Sequence, residues 1–178
     1  MNRQMRKALL SIFIIINLTK AYDRRGTVYE ADFRTLDETQ GLTVRRLNNN
    51  AYEFLYTEEF NADTNPLKLN FNYFFEKSGS RQIVEVDNIC GDYKYGTPEY
   101  AAQHFVLEFL AETKECPIKK GTRFVFRTGR TYQYSNTFPS CGISYGFVSI
   151  FRTNTTSGQS PLVLLFNYRG LITGNDCQ

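Results

Sequence analysis

The chain has 178 residues, with 15 Phe, 12 Tyr, no Trp, one His and four Cys, and a formal charge of +3. Four of its 21 basic side chains and none of its 18 acidic ones lie in the first 21 residues, so residues 22–178 keep 17 bases against 18 acids and a charge of −1. That balance excludes the basic footprint of a general nucleic-acid binder, and a single histidine leaves little from which to build a zinc site or a hydrolytic triad.

Arg3, Arg6 and Lys7 precede an uncharged, apolar run from Ala8 to Leu18 that ends near Ala21. This is the layout of a secretory signal peptide. The run is about eleven residues, well short of the roughly twenty needed to cross a bilayer as a helix. We therefore expect residues 1–21 to be a leader and residues 22–178 to form one secreted, extracellular domain, its cysteines in an oxidising compartment.

Beyond the leader, period-two alternation predicts half-buried antiparallel strands. Candidates in chain order are 27–33, 42–46, "AYEFLYTEEF" at 51–60, "LKLNFNY" at 67–73 and 82–87, then 123–128, 143–152 and 162–168, eight in all. In the third, Tyr52, Phe54 and Tyr56 share a face. In the fourth, Leu67, Leu69, Phe71 and Tyr73 oppose Lys68, Asn70 and Asn72. "LNNNA", "NADTNP" and "KSGSR" supply turn residues between them, which predicts hairpin neighbours. Between 87 and 123 the period changes. "TPEYAAQHFVLEFLAETK" offers Thr97 as N-cap, Pro98 in the first turn and apolar residues at 102, 105, 106, 109 and 110, the marks of one amphipathic helix. Asn154-Thr155-Thr156 is a glycosylation sequon in a Ser/Thr/Gly-rich loop.

Four cysteines allow three pairings. A hairpin made of 143–152 and 162–168 carries Cys141 back beside Cys177, and the remaining pair, Cys90 with Cys116, would then clasp the chain on both sides of the helix. Catalysis has few candidates. His104 sits mid-helix, and acid pairs such as Glu58 with Glu59 or Asp87 with Asp92 read as solvated surface. No phosphate loop, metal motif or cofactor signature is present in the sequence, so neither enzyme activity nor a cofactor is expected. In "KKGTRFVFRTGR", strand alternation sends Phe124 and Phe126 one way and Arg123 and Arg127 the other. With Lys119 and Lys120, these two arginines are candidate cations at the rim of a site.

The aromatic load fits two readings, a solid Phe/Tyr core or the apolar wall of a cavity. "ICGDYKYGTPEYAAQHFVLEFL", "ECPIKKGT" and "CGISYGFVSIFRTNTTSGQSPLVLLFNYRGLI" resemble the ganglioside activator protein and the wider ML-type lipid-recognition superfamily, and an insect secreted, chemosensory branch of it in particular. The resemblance is carried by Cys90, Asp92 and Tyr93, then by Cys116, Pro117, Gly121 and Thr122, then by the last two strands, and it spans roughly residues 88–172. Family members usually hold more cysteines, and the partners expected near Cys90 and Cys116 are absent here, a further reason to pair these two.

The resemblance implies a mainly β fold, an antiparallel two-sheet β-cup of immunoglobulin-like sandwich form with one short helix, whose apolar interior holds a lipid or other small hydrophobic ligand. On that reading the cavity wall comprises Phe54 and Tyr56, then Leu69, Phe71 and Tyr73, then Phe105 and Phe109 of the helix, then Phe124, Phe126, Leu164 and Phe166. The implied function is a secreted, non-enzymatic binding protein, with a pheromone-type ligand as one option, that presents its ligand to a receptor, membrane or enzyme. The alternative is an extracellular interaction module with a solid core and a basic docking surface.

Overall fold

The computed structural model describes residues 21–35, 41–139, 141–153 and 158–177. The expected leader, Ala21 excepted, and the sequon residue Asn154 lie outside them. Nine strands are seen: β1 (Tyr22–Arg34), β2 (Leu42–Asn48), β3 (Ala51–Tyr56), β4 (Leu67–Phe75), β5 (Arg81–Val86), β6 (Arg123–Arg127), β7 (Thr131–Asn136), β8 (Gly142–Arg152) and β9 (Leu162–Thr173). They form a six-stranded sheet in the order β5-β4-β8-β9-β1-β7 and a three-stranded sheet, β2-β3-β6. All strand pairs are antiparallel, giving the expected mainly β, two-sheet sandwich with one short helix.

The alternation read from the sequence is the alternation of burial. Along β4, Leu67, Leu69, Phe71, Tyr73 and Phe75 are buried, and along β6 Phe124 and Phe126 are buried between exposed Arg123, Val125 and Arg127. Two expectations are corrected. Thr131–Asn136 is a ninth strand, unread because "TYQYSN" offers two aromatic residues among polar ones. Its pairing with Tyr22–Thr27 also starts β1 five residues before the expected Thr27. Hairpin adjacency holds for β2 with β3, β4 with β5 and β8 with β9, but β4 also lies beside β8, and β1 lies between β9 and β7. The chain leaves one sheet for the other between neighbouring strands, and non-local pairing closes the larger sheet.

Between the sheets, Phe33 of β1 is the hub. Its ring stacks on Phe166 at 4.2 Å and meets Tyr52, Phe54 and Phe126 of the smaller sheet edge-on, each at 4.9 Å. Tyr52 also donates a hydrogen bond across the layers to the Ala31 carbonyl at 3.0 Å. Such ring pairs stabilise beyond the area they bury.

The helix starts as read. Thr97 Oγ1 accepts from the Tyr100 amide at 3.2 Å, and α1 (Pro98–His104) begins at Pro98. It then widens into a π-helical turn, Phe105–Leu110. The wider turn buries more positions than a 3.6-residue repeat predicts, adding Leu107 and the following Ala111. Three side chains anchor it. Gln103 Nε2 donates to the carbonyls of Ile89 and Gly91, both at 2.7 Å, and Tyr56 in β3 donates to the Leu110 carbonyl at 2.9 Å. Arg130 pairs with Glu112 just beyond it at 2.9 Å.

Both disulfides pair as the layout indicated, Cys90 with Cys116 and Cys141 with Cys177. The first brackets the helix. The second ties the end of β9 to the start of β8, where the buried Arg24 guanidinium also grips Asp176, Nη2 to Oδ2 at 3.0 Å. Among the described residues no helix is long and apolar enough to cross a membrane.

Candidate functional site

The site begins with two glycines. Gly26 faces Tyr132 across β1 and β7, and Gly146 faces Tyr168 across β8 and β9. A Cβ at either position would lie 2.5 Å or 2.0 Å from the facing ring. Each tyrosine therefore lies flat over a neighbouring strand that has no side chain to lift it. With Tyr73 of β4 and Tyr134 and Asn136 of β7, they turn one end of the interlayer space into a cluster of hydroxyls. Phe71, Val84, Ile172 and, from the helix, Pro98, Ala101, Ala102 and Phe105 complete the lining of a cavity of about 20 Å³.

Polar contacts organise this end. Tyr73 bonds Gln82 and accepts from Asn136 Nδ2 at 3.3 Å, while Asn136 Oδ1 accepts from the Phe138 amide at 3.0 Å. Tyr132 and Tyr168 interact through their hydroxyls. The Tyr134 hydroxyl has no hydrogen-bond partner among the described residues. Burial, foremost, raises the pKa of Tyr73, Tyr132, Tyr134 and Tyr168, because it disfavours the phenolate. At physiological pH all four are neutral.

All eleven residues expected as cavity wall are buried between the layers, but only Phe71, Tyr73 and Phe105 line the cavity. Phe54 stacks on Phe124 at 4.7 Å, and Phe126 and Phe166 belong to the Phe33 cluster. Phe109 touches Phe126 of one sheet and Tyr132 of the other, at 5.2 and 5.1 Å. Leu69 and Leu164 are fully buried, and Tyr56 anchors the helix end. The rings touch, because the helix inserts Phe105 and Phe109 between the layers, and no void of the few hundred cubic ångströms typical of small-molecule pockets lies among the expected wall residues. The remaining volume is the size of roughly one water molecule.

The expected rim cations stand away from this cavity. Arg123 and Arg127 project from the outer face of the three-stranded sheet, as they must once Phe124 and Phe126 point inward. Arg123 is held there by Glu53 at 2.8 Å, which also binds Arg45 at 2.9 Å. Lys119 and Lys120 are exposed just before β6. None of the four lines the cavity.

What sequence reasoning missed is the tyrosine end. Tyr132, Tyr134 and Asn136 sit on the unread strand, and a glycine facing an aromatic residue becomes a signal only once register is known. Outside the cavity, across the shared residues Ala101 and Tyr134, runs a polar surface groove of about 810 Å³ bordered by Asp23, Arg25, Tyr95, Tyr100, His104 and Glu108. His104 stacks on Tyr100 at 3.9 Å, and its Nδ1 lies 3.1 Å from the Tyr100 carbonyl. Ser135 there donates to Asp23 at 2.6 Å and contacts the Tyr95 hydroxyl at 2.8 Å. No cluster of three or more His, Cys, Asp or Glu suited to a metal occurs among the described residues. No protein-family model, curated protein or solved structure matches the chain significantly.

Proposed function

We propose that the protein is a secreted, non-enzymatic carrier that takes up a small, mostly apolar molecule between the helix and the six-stranded sheet. The observation that carries this reading is the cavity itself, aromatic walls closing on a cluster of hydroxyls under a helix built as a separable cover. That cover enters and leaves through loops tied by the Cys90–Cys116 disulfide, and the rest of the chain holds it by hydrogen bonds at Gln103, Glu108 and Leu110. The ML-type resemblance carried by Cys90, Asp92, Tyr93, Cys116 and Pro117 supports the same reading, as do the two disulfides, which suit an oxidising compartment.

Uptake requires the helix to shift outward and withdraw Phe105. Exposing one phenylalanine costs about 1.5–3 kcal/mol, whereas burying a ten-carbon chain returns roughly 8 kcal/mol at 0.8 kcal/mol per methylene. That leaves roughly 5–6.5 kcal/mol to set against the entropic and ordering costs of binding.

A second reading rests on the filled interior: an interaction module that docks an acidic partner through the outer face of the three-stranded sheet, where Arg45, Arg123 and Arg127 surround Glu53. Titration of delipidated, disulfide-intact protein with Nile red separates the two. Carriage predicts saturable uptake of one dye per chain, displaced by decanol, and a lipid in the organic extract of protein from its source. No uptake and an empty extract would favour the docking module.

A further inference from the structure

We infer that the hydroxyl end of the cavity selects a neutral oxygen function, an alcohol, carbonyl or ester at one end of an apolar molecule, and rejects an ionised carboxylate. This rests on the carrier reading and names its ligand class.

The lining of the cavity contains four tyrosines and one asparagine as its polar members and no Lys, Arg, His, Asp or Glu. A hydroxyl or carbonyl oxygen can be matched there by donors. Asn136 Nδ2 spends one donor on Tyr73, Tyr132 and Tyr168 are engaged with each other, and the Tyr134 hydroxyl, with no partner among the described residues, is available to a ligand oxygen. A ligand oxygen that pairs with this hydroxyl is favoured over a bare hydrocarbon end, because an apolar ligand would strip the half-buried Tyr134 hydroxyl of water without giving it a partner. An ionised carboxylate meets the opposite situation. It would be stripped of water with no cation facing it, a costly arrangement. The cation that Tyr134 does sense is Arg24. Its guanidinium binds Asp176, Nη2 to Oδ2 at 3.0 Å, with Nε left unpaired, and it borders the outer groove rather than the cavity.

Three ten-carbon ligands that differ only in their ends make the test: decanol, decanoate and decane, each displacing Nile red from the disulfide-intact protein at about pH 8, where the acid is ionised and the tyrosines are not. Decanol is expected to bind on the order of a hundredfold more tightly than decanoate, given the desolvation cost of an unpaired buried charge, and more tightly than decane. Tyr134→Phe and Asn136→Leu, each first verified as folded by its denaturation midpoint, should narrow the margin of decanol over decane. Decanoate that matches or exceeds decanol, or margins untouched by both variants, would overturn the inference while leaving the carrier reading in place. Failure of the wild-type protein to bind Nile red or any of the three would overturn the carrier reading and the inference with it.

Discussion

The two ends of the space between the sheets are built from different chemistry. Around Phe33, five aromatic rings from both layers meet, and the polar atom among them, the Tyr52 hydroxyl, is satisfied across the layers by Ala31. At the other end no strand among the described residues lies opposite the larger sheet. The helix takes that place, and the sheet presents Tyr73, Tyr132, Tyr134 and Tyr168 in place of phenylalanines. Dry ring packing holds the layers together. The tyrosine end gives up some of that packing for hydroxyls, of which those of Tyr73, Tyr132 and Tyr168 are paired within the protein.

This contrast predicts unequal responses to substitution. Phe166→Ala, at the stacked centre of the dry end and fully buried, should lower unfolding free energy by about 3–5 kcal/mol, seen as a shift of the denaturant midpoint. An effect below 1 kcal/mol would mean that the Phe33 cluster does not hold the layers together. Replacing Cys90 and Cys116 by serine should cost about 2–4 kcal/mol and speed amide exchange through residues 98–110 while β8 and β9 stay protected. Uniform acceleration would show that the helix is not separable. Gly146→Ala places a methyl group against the Tyr168 ring and should cost about 1–3 kcal/mol as overpacking. It should also weaken Nile red uptake by displacing a tyrosine of the site.

The smallest effect at neutral pH is expected from Tyr134→Phe, within about 1 kcal/mol of wild type. Its signature lies at high pH. Burial raises the folded-state pKa of Tyr134 above the ordinary 10.0, so the unfolded chain ionises first. The contribution of this tyrosine is full below pH 10 and is lost as pH rises from there toward the folded value. Stability of the wild type should fall steeply in alkali, and that of the variant less steeply, as read from denaturant midpoints across the range. Parallel curves would contradict a raised folded-state pKa for Tyr134.

Much of this arrangement was legible in the chain. Strict alternation such as Leu67-Leu69-Phe71-Tyr73 fixes a strand and its inward face, the Thr97-Pro98 start fixes a helix, and the return of the β8–β9 hairpin brings Cys141 to Cys177. What was not legible depends on register and volume. "TYQYSN" carries too few apolar residues to declare itself a strand, so the partner of the first residues of β1 went unread. The inward positions of Phe54, Phe124 and Phe166 say nothing about whether facing rings touch or stand apart. That depends on how far Phe105 and Phe109 reach, hence on the π-helical turn that carries them. Alternation placed Arg123 and Arg127 opposite the phenylalanines correctly, yet on a sheet whose outer face lies away from the cavity.

The most direct test lies at Ala102, which is buried on the helix and lines the cavity. Ala102→Leu adds more bulk than a cavity of about 20 Å³ can take in while keeping the side chain apolar. Nile red titration of wild type and variant, both with intact disulfides, should give one saturable site in the wild type and binding at least about tenfold weaker in the variant, whose added methylenes compete for the ligand's space. Equal affinity in the two proteins, or no uptake by either, would contradict a site between the helix and the six-stranded sheet.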